Sequence, residues 1–191
     1  MNRREALSRV SLILGGTIVG AEFFLSGCET RPLQLSTLEF TDNNVTFLDE
    51  VGETILPTTP DSPGAKAAEI GKFMRTIVTD CYDAEEQTIF LNGIGELNEA
   101  AKKTFQKEFL QLDDAQKKEF LTEIDGVAKE HAEKMKAGDK AHYFSMMKQL
   151  TLWGYFSSKI GATQALRYVE VPGRYEGCIP YTKGEKAWAL S

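Results

Sequence analysis

The chain has 191 residues, 42% of them hydrophobic and 26% charged, with 22 Lys and Arg against 28 Asp and Glu and a formal net charge of −6. An acidic surface of this kind repels nucleic-acid phosphates, and no basic patch in the sequence reverses it, so nucleic acid is excluded as a partner. The length is that of one ordinary domain, enough to bury a sizeable core without metals or a disulfide framework.

The first ten residues, MNRREALSRV, place Arg3 and Arg4 ahead of an apolar run from Val10 to Ala21. A basic start, an apolar run and a short exit region have the layout of a removable export signal. The run is glycine-interrupted and shorter than the roughly 20 apolar residues of a membrane span. It closes in Leu25-Ser26-Gly27-Cys28, which resembles the bacterial lipobox, where cleavage before the cysteine leaves Cys28 as a lipidated N-terminus; Glu22 departs from the usual apolar pattern. Arg3 and Arg4 followed by Glu5-Ala6-Leu7 resemble the twin-arginine motif of proteins exported already folded, with Ala6 where phenylalanine is more usual. The expected layout is a twin-arginine lipoprotein signal over 1–27, a tether over 28–40 and a helical domain over 41–191. Without the signal, 164 residues remain, with 19 basic and 26 acidic side chains and a net charge of −7. With Cys28 taken by lipid, Cys81 and Cys178 are left. In an oxidising periplasm they most simply form one disulfide tying the tail to a helix end, the alternative being a bridge from one of them to another subunit.

The tether, Glu29 to Phe40, carries a proline and no helical periodicity. From Thr41 the pattern becomes helical: TDNN offers caps, and Leu48, Val51 and Ile55 recur at spacings of three and four before Pro57. The next stretch, LPTTPDSPGA, is stiffened by Pro57, Pro60 and Pro63 and ends in Gly64, because each proline fixes its own φ and restrains the residue before it. Such a loop reads either as a connector or as a preorganised contact surface, and composition favours the connector. A second helix is expected from Ala65 to Cys81 with Ile70, Phe73, Ile77 and Val78 inward, and a third after Asp83 with Phe90, Ile94, Leu97 and Ala101 on one stripe. Asp113 or Asp114 can cap a fourth, in which Phe120, Ile124, Val127 and His131 share a face and Asp114/Lys118, Asp125/Lys129 and Glu130/Lys134 pair on the other. The fifth, within DKAHYFSMMKQLTLWGYFSSKIG, is apolar nearly all round from Leu150 to Phe156 and must be covered by the other helices or by a partner. After Tyr168 the chain turns irregular, with Arg174, Tyr175, Tyr181 and Trp188 in a tail broken by glycine and proline. The fold class is therefore all-α: a single bundle of about five main helices with an irregular C-terminal tail.

Chemistry is scarce in the pattern. There is no GxGxxG, no P-loop and no CxxCH, and His131 and His142 lie eleven residues apart with no cysteine near them, too few ligands for a zinc site. Acidic pairs such as Glu85-Glu86 and Asp113-Asp114 sit where helix starts favour negative charge, and the serines have no base the sequence can place beside them. Nothing here gives a catalytic residue, a metal ligand or a cofactor site in this chain.

Three stretches, ILPTTPDSPGAKAAEIGKF, LTLWGYFSSKIG and VPGRYEGCIPY, together resemble the gluconate 2-dehydrogenase subunit 3 family, the small subunits of membrane-associated bacterial flavin dehydrogenases. The resemblance runs from about Leu48 to Pro180. It implies a non-catalytic subunit, free of cofactor itself, beside a large FAD-dependent flavoprotein of the glucose-methanol-choline type that oxidises sugars or sugar acids, often with a cytochrome c that takes the electrons. A flavoprotein must enclose its flavin before export, and the twin arginines of this chain can carry both subunits. Cys28 departs from the family picture in which the cytochrome provides the membrane attachment; a lipid there anchors the complex directly. Glu29 after it, rather than aspartate, favours the outer membrane, facing the periplasm. The residues expected to meet the partner are Pro57, Pro60, Asp61, Pro63 and Gly64 in the loop, Trp153, Tyr155 and Phe156 on the fifth helix, and Arg174, Tyr175 and Tyr181 in the tail, with core packing an equal explanation for Trp153 and Phe156. A reading of a different class is a stand-alone helical lipoprotein that holds a small ligand in its bundle core.

Overall fold

Thr41 caps a helix: its hydroxyl oxygen accepts from the Asn44 backbone N–H at 3.2 Å, satisfying one of the donors that a helix N-terminus leaves open. The computed structural model describes residues 40–171, 173, 174 and 177–189, so the expected export motif at Arg3 and Arg4, Cys28 and Tyr175 lie outside the described residues. Five α-helices follow within that range: α1 Asp42–Ile55, α2 Ile70–Cys81, α3 Ala84–Phe105, α4 Asp114–Lys134 and α5 Tyr143–Ser157. Short 3-10 turns occupy Ala65–Ala68 and Phe109–Gln111, and a π turn occupies Gly161–Ala165. No strand occurs among the described residues, and the fold is the expected all-α bundle.

The second helix begins later than its sequence suggests. Ala65–Ala68 form a 3-10 turn, Glu69 adopts a left-handed conformation at φ 53°, and the α-helix starts only at Ile70. The interruption redirects the chain so that α2 crosses α1 closely, and the side chain of Asp49 on α1 accepts from the Gly71 N–H at 2.7 Å. An open donor of α2 is thus met by a side chain from another helix. Burial pushes the Asp49 carboxyl up from its ordinary range, while that same Gly71 hydrogen bond pulls it back down.

The helices α3 and α4 carry complete capping boxes, Asp83 with Glu86 and Asp113 with Gln116. On α3 the predicted stripe of Phe90, Ile94, Leu97 and Ala101 is buried as expected. On α4 the buried face is shifted: Phe120, Leu121 and Ala128 are inside, Ile124 is half-buried, and Val127 is 56% exposed and His131 is exposed. The helix is turned so that its ion-pairing residues Asp125 and Lys129, at 2.8 Å, lie beside Lys148 of α5, which also reaches Asp125 at 2.7 Å. Below it, Phe109 packs between the rings of Phe47 at 5.2 Å and Phe120 at 6.2 Å, and Lys117, only 8% exposed, lies against Phe109 while reaching Glu50 on α1 at 3.0 Å. Glu50 is also paired with Lys66, and that pairing holds its carboxyl below the usual range.

Helix α5 touches all four of the others. Phe144, Met147, Leu150 and Thr151 are buried along it, and Thr151 spends its hydroxyl on the Met147 carbonyl at 2.8 Å, so this buried hydroxyl is satisfied. Where α5 crosses α3 the two backbones are held close by Gly93, at which an added Cβ would lie 2.3 Å from Cγ of Tyr143. Gly95, two residues on, faces open space. Gly93→Ala is therefore expected to lose about 1–3 kcal/mol of stability by forcing the rings and helices apart, whereas Gly95→Ala should gain roughly 0.5–1 kcal/mol from helix propensity; urea unfolding of the two variants checks the contrast.

Candidate functional site

The end of the bundle where α5 finishes gathers the features that the sequence scatters. There the loop between α1 and the Ala65–Ala68 turn is tied down from both sides. From α1, the Glu53 carboxylate accepts from the Thr58 N–H at 2.8 Å, the Thr58 hydroxyl at 2.7 Å and the Lys66 N–H at 2.9 Å. Thr58 in turn accepts from the Gly64 N–H at 3.0 Å, and Thr59 and Ser62 exchange backbone hydrogen bonds around Pro60 and Asp61. A Cβ on Gly64 would stand 2.2 Å from the Glu53 carboxylate oxygens, so the bare glycine makes room for the anchor. From α5, the Tyr155 hydroxyl bonds the Pro63 carbonyl and lies 2.8 Å from the Ser62 hydroxyl. The loop is therefore a fixed surface as well as a connector, with Pro57, Pro60 and Asp61 exposed and Pro63 and Gly64 turned inward.

The expected contact residues of α5 divide in the same way. Tyr155 is 3% exposed: its ring is core and its hydroxyl holds the loop, so it offers a partner no side-chain surface in this conformation. Trp153 is 54% exposed and stands edge-on to Phe73 of α2, with ring centroids 5.5 Å apart. Phe156 and Leu152 are 40% and 39% exposed. At spacings of three and four these three side chains lie on one strip of a helix that is otherwise enclosed. Part of the Trp153 and Phe156 surface is thus available, and part packs on neighbours.

The tail returns to the same end. Arg167 pairs with residues 187–189 through two backbone hydrogen bonds of 2.8 Å, its guanidinium stacks over the Trp188 ring at 4.2 Å, and it meets both carboxylate oxygens of Glu185. Lys186 bonds the Gln164 carbonyl and reaches the Asp61 carbonyl at 3.4 Å. Between these anchor points the described residues 168–184 are exposed, Tyr181 at 78% and Arg174 among them. Nothing in the sequence marks Arg167, Glu185 and Trp188 as a clasp, because a pairing across some twenty residues of irregular chain has no periodicity to read.

The disulfide expected between Cys81 and Cys178 is not formed; both thiols are free and exposed. Cys81 is the last residue of α2, about 12 Å along the helix from Phe73, the residue that touches Trp153, while the tail is anchored at the Trp153 end through Arg167 and Lys186.

At the opposite end, where α5 begins, an open cavity of about 320 Å³ is lined by Glu85, His131, Lys134, Met135, Gly138, Asp139 and Lys140. Its walls are charged and solvent-facing, unlike the apolar enclosure that a small-ligand site in the bundle core would need. His131 and His142, at the two sides of the α4–α5 connection, come together here with ring centroids 5.8 Å apart. Among the described residues no group of three or more His, Cys, Asp or Glu could hold a metal ion, and no helix is long and apolar enough to cross a membrane.

A family model, gluconate 2-dehydrogenase subunit 3, matches residues 42–173, from the first residue of α1 into the tail. The chain belongs to that family. No curated protein and no solved structure matches it. As a gluconate 2-dehydrogenase subunit 3 protein it is of the kind that forms a subunit of a dehydrogenase complex. The matched range contains the tied loop, the α5 strip and Arg167, while Cys178, Tyr181 and Trp188 lie beyond it.

Removing the Tyr155 hydroxyl should free the loop without touching the ring packing. Tyr155→Phe is expected to cost about 1–2 kcal/mol and to make the chain near Pro60 more susceptible to limited proteolysis, with the helical circular dichroism unchanged.

Proposed function

We propose that the chain is the non-catalytic small subunit of an exported FAD-dependent dehydrogenase of the glucose-methanol-choline type, acting on a sugar or sugar acid. It escorts, stabilises and anchors the catalytic subunit. The observation that carries this reading is the bare strip of Leu152, Trp153 and Phe156 on the most enclosed helix of the bundle, set beside a loop that is already rigid. Exposed aromatic side chains next to ordered backbone are what a stable protein interface uses, since little entropy is lost when they are covered. Family membership supports a dehydrogenase catalytic subunit as the partner.

In this reading the flavin and the reacting groups belong to the large subunit, and a cytochrome c serves as its electron acceptor. Arg3 and Arg4 direct the pair to the folded-protein export route, and Cys28 carries the lipid that holds the complex on the outer membrane, facing the periplasm. One of the exposed thiols, Cys81 or Cys178, is available to bridge to the large subunit.

Two experiments bear on it. Purified from its native membrane, the protein should bring down a yellow second polypeptide of flavoprotein size, and Trp153→Asp with Phe156→Asp should reduce that recovery at least tenfold while leaving the helical signal intact; a colourless monomer would instead favour the stand-alone lipoprotein. Replacing Arg3 and Arg4 by lysine should leave both subunits in the cytoplasm, and a flavoprotein that still reached the periplasm would remove the escort role.

A further inference from the structure

The beginning of α5 is capped by an unusual residue. Helix N-termini are normally closed by Ser, Thr, Asp or Asn, whose side-chain oxygen accepts a backbone N–H at any physiological pH. Here the cap is His142, in extended backbone conformation, and its ring nitrogen Nδ1 accepts from the Phe144 N–H at 3.2 Å. An imidazole nitrogen accepts only while it carries no proton, so the hydrogen bond fixes the neutral tautomer with its proton on Nε2.

We propose that His142 is an acid-sensitive cap on the central helix, closing α5 while its imidazole is neutral and releasing the first turn when a proton occupies Nδ1. Protonation would set two donors against each other, Nδ1–H facing the Phe144 N–H. It would also place a positive charge at the positive end of the helix dipole. The surroundings add to the penalty. From α4, His131 stands 5.8 Å away, ring centroid to ring centroid, and within α5 the Tyr143 ring lies 4.3 Å away with its hydroxyl pushed up by burial. From α3, Glu96 is the group that favours the charged form. Glu85, Lys134, Asp139 and Lys140 line the cavity beside His131, where Lys140 is engaged by Asp83 at 2.6 Å. Burial first, and His131 second, hold the His142 imidazole below its ordinary value of 6.5.

The direction of the pH effect follows. Because the folded form binds the proton less readily than the unfolded chain, stability is full above about pH 6.5 and declines as the pH falls from there toward the lower value of the folded protein. An exported domain meets such acidity directly, and the element affected is the helix that touches every other.

The test compares thermal melts of the purified full chain, wild type and His142→Asn, between about pH 8 and about pH 5.5. Asparagine retains a side-chain acceptor at the cap and does not titrate. The wild type should lose about 4 °C over that interval and the variant about 1 °C or less. In the wild type, the amide proton of Phe144 should shift with the same midpoint as the His142 ring, below 6.5. A variant that loses as much as the wild type, or a Phe144 amide that stays still while His142 titrates, would overturn the proposal.

Discussion

A helix that is apolar on almost every side has to be enclosed, and the rest of this structure is arranged around meeting that demand for α5. Four helices cover it, and each contributes from its own amphipathic stripe: Val51 from α1, Met74 and Val78 from α2, Leu97 from α3, Phe120 from α4. Burying side chains of this size contributes roughly 1.5–3 kcal/mol each before conformational entropy is set against it, so the core rather than the exposed ion pairs decides stability. The enclosure stops at Leu152, Trp153 and Phe156. That gap leaves an aromatic strip that the bundle itself does not cover.

The neighbouring loop shows how a surface is kept ready. Three prolines limit the backbone, but they do not fix where the loop sits; Glu53 and Tyr155 do that, one from below through backbone N–H groups and one from the side through Pro63 and Ser62. A loop already paying the entropy of order loses little more on being covered. The tail follows the same logic with different chemistry, a guanidinium shared between an aromatic face and a carboxylate at its base and exposed residues between.

The two ends of α5 therefore have different characters. Its C-terminal end is aromatic, tied down and partly uncovered, whereas its N-terminal end is polar, charged and capped by a residue whose bonding depends on a proton.

The sequence alone determined the five main helices of the described residues and most of their starts, because caps such as Thr41, Asp83 and Asp113 and stripes such as Phe90, Ile94, Leu97 and Ala101 are local signals that act within one or two turns. It also carried the family resemblance, spread over the loop, α5 and the tail. It misplaced what depends on a neighbour: the late start of α2, where Asp49 reaches Gly71, and the rotation of α4 that leaves Val127 outside. Tertiary structure decided that Tyr155 is a strut and Trp153 partly a surface, that Arg167 clasps Trp188, and that His131 and His142 meet ring to ring. The reason is the range of the forces. Capping and periodicity are written in residues three or four apart, whereas burial and hydrogen bonding between elements exist only after the chain has brought them together.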